Sequence, residues 1–380
     1  VKTMDPAVAP AGRGETPPGT TRHPGLRKPG SRKPGSLKPG SFKPGSRKPS
    51  SRKPVVTWLA VSLVALLAAA GLSICIGGQP SSLQDVWHAV VTPDGNVMDV
   101  TIRELRWPRT VMAVLTGICL GLAGTLVQGH TRNPVADPGL LGINQGAALA
   151  IVAATALTGE LAVLPQALLA FAGALAASVL VFMIGSAARH GATPVTLVLA
   201  GAAVTALCSG LVAGIVLLND QALDTLRFWQ VGSLAGRSDV MAVVWPFICA
   251  GVVLALLNIR PLNALALGAD TAVSLGISVF RARAAGIAAI TLLAGSAVTM
   301  AGPIAFAGLL VPHITRAMAG PDYRWLVPVS ALTGATLLLL ADTAGRVISR
   351  PGELSVGVVL AVVGAPFFVH LARRRRLATL

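Results

Sequence analysis

The sequence predicts an all-α protein that crosses a membrane about ten times, and three observations carry that prediction. First, 53% of the 380 residues are hydrophobic and only 12% are charged, with a mean hydropathy of +0.70, so most of the chain cannot be the surface of a water-soluble domain. Second, apolar runs of helix length recur between short clusters of Gly, Pro and charge, and about 20 such residues match the hydrocarbon thickness of a bilayer. Third, the net charge of +16 is confined to the ends. Residues 1–54 carry 13 Lys/Arg against Asp5 and Glu15, Arg373 to Arg376 add 4, and residues 55–372 hold 14 basic and 13 acidic residues. A nearly neutral body offers no spread cationic face, so no nucleic-acid partner is expected. Basic segments beside membrane spans stay in the cytoplasm, which puts both termini inside and requires an even number of crossings.

Residues 1–54 form the first region. From residue 27 they repeat a five-residue x-Lys-Pro-Gly-Ser unit with too few apolar groups to bury and too much Pro and Gly for helix or strand, so this tail is expected to be disordered. It either attracts anionic membrane lipid or is simply solvated. Residues 55–375 form the transmembrane domain, and 376–380 a C-terminal tail. Span 55–77 is one continuous apolar run, and span 108–128 opens on Pro108 and is uncharged from Thr110 to Val127. Span 139–158 follows the turn made by Asn133-Pro134 and Asp137-Pro138. Spans 163–187 and 194–218 are Ala/Leu/Val runs parted by Arg189 and Pro194, and span 239–258 begins after Gly236-Arg237. Span 283–301 stops at Gly302-Pro303. Span 304–319 is short and carries Gly308 and Pro312, so it is expected to be broken or tilted. Span 325–345 lies between Asp322 and Arg346, and span 354–372 between Gly352 and the terminal arginines. Frequent Gly and Ala let such helices approach closely in lipid, where packing holds them together.

The connecting loops contradict a simple charge rule. Arg103, Arg106, Arg109, Arg227, Arg237, Arg346 and Arg350 fall outside, and Arg132, Arg189, Arg260, Arg281, Arg283, Arg316 and Arg324 fall inside. External arginines in equal number need a reason. Arg106 and Arg109, in Arg-Trp-Pro-Arg, are i, i+3 neighbours at the mouth of the second span and predict a cationic rim. Guanidinium groups grip carboxylates in bidentate pairs, which suits docking of an acidic protein surface or an anionic substrate; snorkelling to lipid phosphate is the alternative.

The longest inner loop, about 259–282, places Leu265, Leu267, Ala272, Leu275 and Ile277 around Gly268 and Gly276, which predicts two short helices broken by glycine instead of a span. Such an element either enters a groove on a cytoplasmic partner or lies on the membrane surface. Asp342 is the acidic residue nearest to the membrane interior, and His313 is a lone packing histidine. Cys75, Cys119, Cys208 and Cys249 each stand alone in apolar runs, with no metal or redox spacing. Catalytic residues, a metal site and a cofactor are therefore not expected. A secondary transporter or channel would place ionisable groups at the bilayer midplane, and these are nearly absent. The chain lacks a Gly-x-x-x-x-Gly-Lys-Ser/Thr loop, so an ATP-driven process would need its ATPase on another chain.

Four stretches, RWPRTVMAVLTGICLGLAGTLVQGHTRNPVADPGLLGINQGAALA, LGADTAVSLGIS, GPIAFAGLLVPHITR and LLLADTAGRVISRPGELSVGVVLAVVGAPFFVHL, together resemble the FecCD-type permease subunits of bacterial ABC importers for iron–siderophore complexes, haem and vitamin B12. The likeness runs over about residues 55–375 in the same order. It implies a ten-helix permease of type II importer architecture in the bacterial cytoplasmic membrane. It also implies a second permease subunit, identical or paralogous, two cytoplasmic ABC ATPase subunits and an external substrate-binding protein. The implied cargo is an iron chelate, a ferric siderophore before haem or vitamin B12. Arg106, Arg109 and Arg346 match the family's docking arginines for the binding protein. Leu267, Gly268, Asp270, Ala272, Leu275 and Gly276 match its ATPase-coupling element, with Ala269 standing where relatives carry an acidic residue.

Overall fold

Apolar runs in a bilayer must satisfy every backbone donor and acceptor internally, and this chain does so with helices throughout. The computed structural model describes residues 55–77, 81–188, 192–350 and 352–373; the repeat tail 1–54, Arg189 and the C-terminal tail 376–380 lie outside the described residues. The helices are α1 (Val55–Cys75), α2 (Leu83–Val91), α3 (Val97–Val100), α4 (Trp107–Thr131), α5 (Ile143–Thr158), α6 (Val163–Ala187), α7 (Pro194–Leu218) and α8 (Asp220–Gln230). They continue with α9 (Ser238–Leu257), α10 (Ile259–Ala266), α11 (Ala269–Ser274), α12 (Val279–Ala301), α13 (Ala307–Ala319), α14 (Tyr323–Ile348) and α15 (Val356–Arg373). Each of the ten apolar runs coincides with one of these helices. The chain is an all-α, multi-pass membrane protein.

Among the described residues seven helical stretches are long and apolar enough to cross a bilayer, not ten. The other three runs are interrupted for local reasons. A 3-10 turn at Pro138–Leu141, with Asp137 as its N-cap, and Gly142 at φ 74° delay the start of α5, leaving 16 residues. Gly302 at φ 73° and Phe306 at φ 65° break the eighth run, so α13 keeps only 13 residues, about 20 Å at the helical rise. The run is broken as expected, but before Gly308 and Pro312, which both lie inside the continuous α13. α15 is short as well, 18 residues from Val356 to Arg373 with Pro366 inside it.

Three short helices occupy connections that the apolar pattern leaves blank. Ser82 and Asp85 form a capping box that starts α2, Asn96 caps α3 and Asn219 caps α8. A π-helical turn, Thr101–Arg106, runs directly into α4.

The core is built on α4, which packs against α12, α13 and α14. Gly117, Gly121 and Gly124 lie on one face of α4, and a Cβ at each would fall 2.4, 2.4 and 2.0 Å from the carbonyl oxygens of Gly334, Ser330 and Gly308. Backbone is thus in contact with backbone along this seam. Thr125 Oγ1 donates to Ser330 Oγ at 2.8 Å, and Thr315 Oγ1 lies 3.0 Å from the same hydroxyl, so one polar knot joins α4, α13 and α14. By contrast α1 and α7 are the least buried of the seven.

Candidate docking and coupling sites

At one end of the bundle the arginines singled out by sequence converge on two things, the last carbonyls of α1 and the carboxylate of Asp342. A helix leaves its final C=O groups without intrahelical donors, and positive charge is favoured there. Arg106 Nη1 donates to the carbonyls of Ile74 and Cys75 at 2.9 and 3.2 Å and to Ser81 Oγ at 2.6 Å. Arg346 Nη1 donates to the carbonyls of Ser73 and Ile76 at 3.0 and 2.9 Å, and its Nη2 to Ser73 Oγ at 2.8 Å. Arg350 Nη2 reaches the carbonyl of Gly77 at 3.0 Å. Arg106 and Arg346 are 5% and 2% exposed.

Arg109 faces the carboxylates. Its Nε and Nη2 bind Asp342 at 2.8–3.1 Å, and its Nη1 binds Glu353 Oε2 at 2.5 Å. Arg346 Nε completes the group, 3.2 Å from Asp342 Oδ2. The free cationic rim expected from the i, i+3 spacing is therefore corrected. Of the two rim residues Arg106 caps the end of α1 from inside and Arg109 is paired with Asp342 and Glu353, while Arg346, the third expected docking arginine, both caps α1 and pairs with Asp342. All three still border a cavity of about 520 Å³ that Glu104, Arg237 and Glu353 also line. Among the described residues the Arg237 guanidinium has no hydrogen-bond or ion-pair partner, and burial holds its pKa below the ordinary arginine value.

At the opposite end of α4 and α14 lies the glycine-broken loop, folded as α10 and α11. Gly268, at φ 127°, opens α11, and Gly276, at φ 77°, ends the turn after it; L-residues rarely adopt either conformation. The sequence-chosen residues divide by direction. Ala272 is fully buried against Ala264, Leu265 and Ala282, whereas Leu267, Asp270, Leu275 and Gly276 are exposed. Val273, which the apolar pattern does not single out, is exposed as Leu267 and Leu275 are.

Two joints fix this elbow to the bundle. Asn263 Nδ2 donates to Asp322 Oδ1 at 2.7 Å while Asn263 Oδ1 accepts from the Tyr323 amide at 3.0 Å, tying α10 to the first turn of α14. Arg132, in the left-handed conformation that caps α4, donates to the carbonyl of Leu265. α4 and α14 thus each connect the arginine cluster to the elbow.

Among the described residues no group of three His, Cys, Asp or Glu is placed to hold a metal ion. The FecCD transport family matches residues 65–374. The ferric enterobactin transport system permease protein FepD of Escherichia coli is 46% identical over 315 residues, covering 82% of this chain and 94% of that protein. The hemin transport system permease protein HmuU of Yersinia pestis is 38% identical, covering 84% of this chain and 96% of that protein. A chain solved in an inward-facing conformation and assigned to the metal-chelate type of ABC transporter superposes with a TM-score of 0.73 at 25% identity, covering 84% of this chain and all of that one. By these matches the chain belongs to the FecCD transport family and is a non-catalytic permease subunit of an ABC importer.

Proposed function

We propose that this permease carries a ferric siderophore across the bacterial cytoplasmic membrane, taking it from an external binding protein. The observation that carries this reading is the 46% identity, over 94% of its length, to a permease named for ferric enterobactin. Relatives named for Fe(3+) dicitrate, at 40% and 38% identity, place the same metal with a different chelator. Haem is the second reading, favoured by the 38% identity to a hemin permease. In a strain lacking the chain, uptake of radiolabelled iron should fall to background for one ferric siderophore and return with the gene. Loss of haem uptake with every ferric chelate unaffected would overturn the siderophore reading.

In this reading all ten runs cross the membrane, with the non-helical stretch 302–306 beginning the crossing that α13 completes and α5 and α15 spanning a locally thin region. Both termini are then cytoplasmic, the arginine cluster is external and the α10–α11 elbow is internal. The permease pairs with a second permease, identical or paralogous, and with two ATPase subunits. Arg109 is the contact for the binding protein, because it is the cluster member paired to an exposed carboxylate. Arg106 and Arg346 position it by fixing α1 and α14. The exposed Leu267, Val273 and Leu275, with Asp270 in the first turn of α11, form the surface that enters a groove on the ATPase.

A double change, Leu275→Asp with Gly276→Val, should uncouple the motor. It puts charge on that surface and forces a β-branched residue into a positive-φ position that costs about 1–2 kcal/mol. In proteoliposomes containing the complete importer, transport per ATP hydrolysed should drop at least tenfold while the permease remains in the membrane. An unchanged ratio would remove the elbow from the coupling path.

A further inference from the structure

Arg109 is fully engaged, yet its two carboxylate partners differ in what can replace them. Asp342 is 1% exposed and is shared with Arg346, so no group from outside the chain reaches it. Glu353 is 42% exposed and belongs to the short connection between α14 and α15. That connection is folded back on α14 by the Leu354 amide, which donates to the carbonyl of Gly345 at 3.1 Å.

We propose that Glu353 holds, in the undocked permease, the place on Arg109 Nη1 that an acidic side chain of the binding protein takes on docking. The inference rests on the docking role of Arg109 given above. Docking is then an exchange of one carboxylate for another. The exchange has a physical advantage over docking to a bare guanidinium. Arg109 is 13% exposed and shares Asp342 with Arg346, so an unpaired charge there would be partly desolvated and uncompensated. A resident glutamate keeps the pair intact until the incoming one arrives. Around the cavity Arg106, Arg109, Arg237 and Arg346 stand against Glu104, Asp342 and Glu353, four positive charges to three negative, so the site carries a net charge of +1. That surplus steers an acidic protein surface towards the site, and Glu353 determines how tightly the surface is then held.

The test uses the complete importer in lipid nanodiscs and the binding protein of the same importer, with affinity measured at low and high salt. Glu353→Gln removes the internal competitor and should tighten docking about fivefold, the factor that corresponds to an exposed ion pair worth about 1 kcal/mol. The gain should shrink at high salt. Arg109→Lys keeps the charge but loses the two-edged fork, and should weaken docking at least tenfold in both backgrounds. As a readout that needs no partner, modification of Arg109 by phenylglyoxal, followed by mass spectrometry, should be faster in E353Q. Equal or weaker docking of E353Q, with R109K still impaired, overturns the exchange and leaves the docking role standing. Undiminished docking of R109K overturns the docking role itself.

Discussion

Replacing Asp342 with Asn is expected to abolish uptake and to lower the amount of folded permease in the membrane to less than about a tenth. The side chain is nearly isosteric, so the effect isolates charge. In the native protein one buried carboxylate receives two ion pairs, from Arg109 at 2.8 Å and from Arg346 at 3.2 Å. Removing one partner of a buried pair costs about 3–5 kcal/mol, because the charge left behind stays desolvated. Here two guanidinium groups would be left with Glu353 alone, and that loss takes a large part of a typical stability of about 5–15 kcal/mol. The damage would spread to α1, since Arg346 also holds the Ser73 and Ile76 carbonyls. Immunoblotting of membranes and iron uptake in the same cells check both parts of the expectation. Asp342→Glu, which keeps the charge, should retain more protein than D342N. Wild-type levels of both protein and uptake in D342N would show that the cluster does not hold this end of the bundle together.

The helices were legible because their signals are local. Uncharged runs bounded by Gly, Pro and Arg place 163–187 and 194–218 to the residue, and Gly268 and Gly276 announce a broken elbow wherever the chain goes next. Capping residues such as Ser82, Asp85 and Asn219 announce α2 and α8 just as locally, though the apolar pattern passes over them. The arginine cluster was legible only as a list of residues. Arg346 and Ser73 are 273 positions apart, and Arg109 and Asp342 are 233 apart, so nothing in either neighbourhood says which group each guanidinium meets. The arginines expected outside, as many as those expected inside and so at odds with the charge rule for loops, have a reason to be there once three of them are seen closing the end of α1. Helix continuity within the runs was misjudged for a related reason. Periodicity and length describe a continuous helix, whereas Phe306 takes a left-handed conformation that only the surrounding packing imposes.

Gly124→Val should have the other large effect, through the seam that links the two ends of the bundle. A Cβ at Gly124 would sit 2.0 Å from the carbonyl oxygen of Gly308 and 2.7 Å from its Cα. These are backbone atoms, so no rotamer change relieves the overlap, and α13 has to move away from α4 by more than an ångström. Overpacking of this kind costs about 1–3 kcal/mol or more. It also pulls on the hydroxyl knot at Ser330, because Thr315 on α13 and Thr125 on α4 meet there. In lipid, where close packing and interhelical hydrogen bonds replace the hydrophobic effect, little else holds these helices together. Purified G124V should therefore unfold at a clearly lower temperature and transport poorly even at matched protein levels. Gly71→Val on α1, where nothing lies within 4 Å, should leave both unchanged. The comparison matters for mechanism as well as stability. α4 and α14 run from the Arg109–Asp342 cluster to the Arg132 and Asn263 joints of the elbow, so events at one end reach the other only if this pair moves as a unit. If G124V kept its thermal stability but lost ATP-dependent transport, the seam would be a hinge surface; if it kept both, backbone contact along α4 would be incidental to the fold.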